Sequence, residues 1–122
     1  KVSEVLFIPF AGVSISWDNY FEMVQTALSN FKIRSIHKTD DFVDAVNKAE
    51  AIMIGGGNTF DLLYKLYEYK LLEPIRERVL GSSHIPYVGW SAGSNVVNIC
   101  LLKGSPMLNE ALIIVSIHLG WS

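Results

Sequence analysis

Short unbroken apolar runs alternate along this chain with longer stretches in which apolar residues recur every three or four positions. Val5-Leu6-Phe7-Ile8 is such a run, ended by Pro9 and Gly12, and it predicts a strand covered on both faces, as in parallel sheets. Ser16 can then cap a helix in which Trp17, Phe21, Val24 and Leu28 form one inward face, with Asp18 and Glu22 well placed near its positive end. Ile33-Arg34-Ser35-Ile36 predicts a second strand, and Asp40 or Asp41 opens a helix carrying Phe42, Ala45, Val46 and Ala49 inward. Ala51-Ile52-Met53-Ile54 is a third buried strand, followed by Gly55-Gly56-Gly57-Asn58-Thr59 and a helix from about Phe60 to Leu72. Glu73-Pro74 restarts a helix that runs to Leu80, before Gly81-Ser82-Ser83 breaks it. Pro86-Tyr87-Val88-Gly89 is a fourth strand, and Ala111-Leu112-Ile113-Ile114-Val115 a fifth, after a helix and the turn Lys103-Gly104-Ser105-Pro106. Strand-helix alternation of this kind predicts an α/β fold with a parallel sheet, right-handed crossovers, and ligands at the carboxyl ends of the strands.

Composition narrows the classes of function. With 122 residues, 50% hydrophobic and 18% charged, the chain is expected to be a single domain over residues 1–122 with a substantial core. Its first residue is Lys1 and it enters a strand almost at once, so the domain is expected to be a truncated piece of a longer one. The net charge of -2 offers no basic field to nucleic acid or to an acidic membrane, and neither is expected as a partner. No apolar run reaches the ~18 residues a membrane span needs, and no signal-peptide pattern opens the chain. The lone Cys100 can form no internal disulfide, which favours a cytoplasmic location.

Two stretches carry candidate chemistry. Gly89-Trp90-Ser91-Ala92-Gly93 fits the Gly-x-Ser-x-Gly pattern between a strand and a helix, the shape of a nucleophile elbow. Such a turn brings the residues two before and two after the serine into near contact, and glycine at both places relieves the crowding. The Ala92 N–H, at the positive end of the following helix, could face an oxyanion. A plain glycine-rich loop is the alternative. Gly55-Gly56-Gly57 could cradle a phosphate, but position 60 is Phe60 where a dinucleotide fingerprint needs a third small residue, and no Gly-Lys-Ser or Gly-Lys-Thr follows. Close approach of the Gly56 and Gly57 N–H groups to a reacting carbonyl is the better use, with a purely structural loop as the other reading. A serine nucleophile needs a base. His84 precedes the fourth strand and belongs at the wrong end of the sheet, whereas His37 and His118 both follow strands. Asp40 and Asp41 are more suited to capping a helix than to orienting His37. No metal-ligand cluster and no cofactor motif is visible.

Three ordered motifs together resemble a known family. Phe7-Ile8-Pro9-Phe10-Ala11-Gly12-Val13 with Trp17-Asp18, Gly55-Gly56-Gly57-Asn58-Thr59-Phe60 with Leu62-Leu63, and Gly89-Trp90-Ser91-Ala92-Gly93-Ser94-Asn95 are similar to peptidase E, the α-aspartyl dipeptidases. The resemblance covers nearly all of the chain up to Asn95. It implies a parallel-sheet three-layer sandwich like that of class I glutamine amidotransferases, and a cytosolic serine peptidase cleaving dipeptides with N-terminal aspartate, without a cofactor. By the same resemblance Ser91 is the nucleophile, Gly56, Gly57 and Ala92 build the oxyanion hole, Asn58 contacts substrate, and His118 occupies the place of the base. The family's Asn-Pro-His reads Ser116-Ile117-His118 here, and its substrate-holding arginine and acidic third residue fall beyond Ser122. Expected partners are a small peptide substrate and, at most, a second copy in a homodimer. A cyanophycinase-like enzyme and an inactive relative that binds a small acidic ligand are the rival readings.

Overall fold

The structure is a computed structural model that describes residues 2–90, 92–93 and the strand 113–115. Five strands, β1 (Val5–Ile8), β2 (Ile33–Ser35), β3 (Ile52–Ile54), β4 (Tyr87–Gly89) and β5 (Ile113–Val115), form one sheet in the order β2-β1-β3-β4-β5. All four pairings are parallel, in the registers Phe7↔Ser35, Ile8↔Ile54, Ile54↔Gly89 and Gly89↔Val115. The carboxyl ends of all five strands therefore lie on one edge. The helices are α1 (Trp17–Ala27), α2 (Phe42–Asn47), α3 (Thr59–Glu68) and α4 (Leu72–Leu80).

Alternation along each strand divides the core into two layers. Leu6, Ile8, Ile52, Ile54 and Tyr87 face α2, α3 and α4, where Ala45, Val46, Leu62, Leu66, Ile75 and Val79 cover them. Phe7, Ile33 and Met53 face the other way, onto Tyr20 and Val24 of α1 and onto Trp90. The result is the three-layer α/β sandwich that the sequence predicts. Both faces are covered, which is why the strands read as unbroken apolar runs. The faces also follow from handedness: β1 to β2 runs outward one way and β2 to β3 returns across β1, so right-handed crossovers put α1 and α2 on opposite faces. Each fully buried Leu or Ile of these layers contributes about 2 kcal/mol.

The caps are those the sequence indicates. Ser16 Oγ accepts the Asn19 N–H at 3.1 Å, and an Asp41 carboxylate oxygen accepts the Asp44 N–H at 3.1 Å, each contributing about 1 kcal/mol to its helix. One helix face and two boundaries differ from expectation. The inward face of α1 is Tyr20 and Val24, with Trp17, Phe21 and Leu28 only half-buried. Ile36 leaves β2 and opens a single 3-10 turn, Ile36–Lys38. The helix α3 ends at Glu68 instead of continuing to Leu72, because Lys70 turns left-handed at φ 58° and the Leu71 N–H returns to the Leu66 carbonyl at 2.8 Å.

Candidate functional site

The glycine loop and the Gly-x-Ser-x-Gly turn leave the sheet side by side. Ile54 and Gly89 are paired, so Gly55 and Trp90 are the first residues past the carboxyl edge of two neighbouring strands. The loop is braced from the segment that follows β1: Asn58 donates its N–H to the Ala11 carbonyl at 2.9 Å. Gly57 has φ 142°, and a Cβ there would lie 2.1 Å from the Ala11 oxygen, so only glycine fits this crossing. Among the described residues no carbonyl accepts the N–H of Gly56 or Gly57. Those two donors are what the oxyanion expectation requires on this edge.

The turn itself shows the crowding of an elbow. A Cβ on Gly89 would lie 2.9 Å from the Gly93 carbonyl carbon, and one on Gly93 would lie 2.1 Å from the Ile54 oxygen. The Gly93 N–H closes the turn onto the Trp90 carbonyl at 3.1 Å, and Ala92 and Gly93 are helical. The Tyr87 hydroxyl, fully buried, donates to the Gly93 carbonyl at 2.7 Å and ties the turn down from below. Burial pushes the Tyr87 phenol well above its ordinary range, so it stays a donor. Ser91 and His118 lie outside the described residues.

The histidines part company. His37 sits on the 3-10 turn after β2, three strand steps or roughly 14 Å from β4. Its ring is already engaged, Nδ1 with Ser35 Oγ at 2.5 Å and Nε2 with Asp18 Oδ1 at 2.8 Å, and it packs edge-on to Trp17. This histidine locks the start of α1 to the sheet's outer strand. His84 stands before β4, at the opposite end of that strand from the elbow. The strand β5, which precedes His118 in the chain, pairs directly with β4. Asn58 is the N-cap of α3, with Oδ1 accepting the Asp61 N–H at 3.0 Å, so its side-chain N–H groups are what it can offer a ligand. A depression of about 330 Å³ lined by Asp40, Asp41, Phe42, Val43 and Tyr69 includes no residue of the loop or the turn. Among the described residues no group of His, Cys, Asp or Glu could hold a metal ion, and no helix is long and apolar enough to cross a membrane.

The His37 clamp makes a measurable prediction. The hydrogen bond from His37, then that from Lys38 and its charge, hold the exposed Asp18 carboxyl below its ordinary 3.8. A depressed carboxylate stabilises the fold above its unfolded midpoint and loses that contribution as pH falls through the folded one. Carboxyl NMR titration is expected to place the Asp18 midpoint below 3.8. His37→Phe should move it back upward, and an unmoved midpoint would show the clamp to be incidental.

Two side chains at this edge escape a reading of the sequence. Tyr20 and Trp90 are buried beneath the loop and the turn, and Tyr20 donates from its hydroxyl to the Gly56 carbonyl at 2.9 Å. The four-residue spacing of Tyr20 and Val24 signals the burial of Tyr20, whereas nothing local signals the partner of its hydroxyl.

Comparison with known proteins agrees with this fold. The model of peptidase family S51 matches residues 1–112, and the chain belongs to that family. It is 49% identical over 104 residues to peptidase E of Shewanella denitrificans, a match covering 84% of this chain and 43% of that protein. Peptidase E of Shewanella oneidensis is 50% identical over the same length and with the same coverage. That of Shewanella baltica is 53% identical over 94 residues, covering 75% of this chain and 38% of its own length. The chain thus spans less than half the length of these relatives. A crystal structure of a Listeria monocytogenes protein, named provisionally as a peptidase E, superposes with a TM-score of 0.56 at 18% identity, covering 93% of this chain and 77% of that one. At that identity the superposition speaks for the fold.

Proposed function

We propose that this chain is the nucleophile-bearing part of a cytosolic serine peptidase that hydrolyses dipeptides with N-terminal aspartate. The observation that carries the reading is the close packing of Gly89 and Gly93, past the end of β4, against the Ile54 carbonyl at the end of the neighbouring β3, the strand that delivers two glycine N–H groups with no carbonyl partner among the described residues. In this reading Ser91 Oγ attacks the peptide carbonyl while His118 takes the hydroxyl proton. The N–H groups of Gly56, Gly57 and Ala92 hold the oxyanion, and the proton passes to the departing amine. Water, activated by the same imidazole, then releases the acyl group from Ser91. The side-chain amide of Asn58 contacts the substrate, and no cofactor enters. The protein acts as a monomer or a homodimer.

The test is hydrolysis by the complete protein of an α-aspartyl dipeptide, of an aspartyl-arginine polymer, and of the same dipeptide with N-terminal alanine. Release of amino acids from the α-aspartyl dipeptide alone is the expected result. Preference for the aspartyl-arginine polymer would favour a cyanophycinase-like enzyme. Binding of the aspartyl dipeptide without turnover would identify an inactive binding relative.

A further inference from the structure

Tyr20 lies on α1, on the opposite face of the sheet from the helices that follow the glycine loop, yet its hydroxyl reaches the loop itself. It donates to the Gly56 carbonyl at 2.9 Å, and the Trp90 indole N–H donates to the same phenolic oxygen. The ring stands edge-on to Phe7 with centroids 5.1 Å apart, and Trp90 lies parallel to Phe7 at 6.5 Å. Two glycines make room for it. A Cβ on Gly55 would lie 2.2 Å from the Tyr20 hydroxyl, and one on Gly12 would lie 2.8 Å from its ring. The tyrosine is 5% exposed, so nothing about this contact is a surface accident.

The peptide linking Gly56 to Gly57 is trans, so its C=O and its N–H point in opposite directions. A hydroxyl that holds the Gly56 carbonyl toward the buried layer therefore turns the Gly57 N–H to the exposed side of the loop. Gly57, at φ 142°, is free to take the orientation this imposes. The same oxygen, through Trp90, is tied to the residue that precedes Ser91 in the chain. We propose that Tyr20 is the positioning residue of the oxyanion hole, setting the orientation of the Gly57 N–H and fixing the glycine loop to the nucleophile turn. This rests on the peptidase reading given above. Burial pushes the Tyr20 phenol up to about 12, which keeps it a proton donor over the working range of such an enzyme.

The experiment compares the complete protein with its Tyr20→Phe variant on an α-aspartyl dipeptide. Loss of a positioned oxyanion donor acts on the transition state, so kcat is expected to fall about 10- to 100-fold with KM within about twofold of wild type. Binding of a peptide aldehyde, whose hemiacetal oxygen mimics the oxyanion, should weaken in step with kcat, while binding of the non-hydrolysable ground-state analogue stays constant. Equal weakening of both ligands, or an unchanged kcat, would overturn the positioning role. Should Tyr20→Phe fail to accumulate as folded protein, 4-aminophenylalanine at the same position keeps a donor there and is expected to stay within about threefold of wild-type kcat. A folded 4-aminophenylalanine protein with a loss beyond 10-fold counts against the proposal. Wild-type protein that turns over no aspartyl dipeptide overturns the peptidase reading instead, a result distinct from wild-type turnover that Tyr20→Phe leaves intact.

Discussion

Replacing Ser91 by alanine in the complete protein is expected to lower kcat for an aspartyl dipeptide by about four to six powers of ten, with little change in melting temperature. The two halves of that expectation have separate causes. In the proposed reaction, deleting this hydroxyl removes the atom that would form the acyl intermediate, and the residual rate is what oxyanion donors and substrate orientation would supply on their own. The turn is meanwhile held by contacts in which the serine side chain takes no part. These are the Tyr87 hydroxyl on the Gly93 carbonyl, the Gly93 N–H on the Trp90 carbonyl, and the packing of Gly89 against Gly93. Steady-state kinetics with a thermal melt on the same preparation reads both quantities. Unchanged hydrolysis by a pure variant would exclude covalent catalysis through this residue.

Gly57→Ala is expected to produce the opposite combination, a large loss of activity together with a large loss of stability. An L-residue at φ 142° is strained, and its Cβ would be driven to 2.1 Å from the Ala11 oxygen, so the loop or the β1 connection has to move. We expect a destabilisation of about 3 kcal/mol and, in the proposed reaction, a fall in kcat/KM of at least about 100-fold, since the displaced peptide would carry an oxyanion donor. Gly56 has no such backbone constraint, and Gly56→Ala should unfold within about 1 kcal/mol of wild type. Denaturant titration of the two variants side by side checks the difference. Similar midpoints for both would show that the Ala11 crossing is not what demands glycine.

The strands were legible because a parallel strand buried on both faces has to be apolar throughout, and Val5–Ile8 and Ala51–Ile54 stand out against their polar surroundings. The tight Gly-x-Ser-x-Gly turn was legible for a related reason. Gly89 is crowded by the Tyr87 ring and the Gly93 carbonyl, and Gly93 by the Ile54 carbonyl, and such steric requirements for glycine leave their mark on the sequence at fixed spacing. What stayed hidden depends on contacts distant in the chain. The end of α3 carries no glycine, because Lys70 takes the left-handed position itself, and the apolar Leu71 and Leu72 beyond it look like a continuing helix. Tyr20 reads as one aromatic among several on α1, and its bond to Gly56 joins residues 36 positions apart. His37 follows a strand, as a base on this edge of the sheet would. Only the strand order separates it from the nucleophile turn, and only the folded chain shows Asp18 and Ser35 already bound to it.

The outer position of β2 bears on how the molecule behaves in a crowd of its own kind. An unpaired strand edge is a template on which another chain can add, and the risk grows with the number of backbone groups it displays in a flat row. Here that row is three residues long, carries the charged Arg34 at its centre in a pair with Glu4, and curls at once into the 3-10 turn that His37 locks. This rim therefore resists edge-to-edge accretion, and among the described residues the opposite rim is β5, beside the strand that leads into the Gly-x-Ser-x-Gly turn.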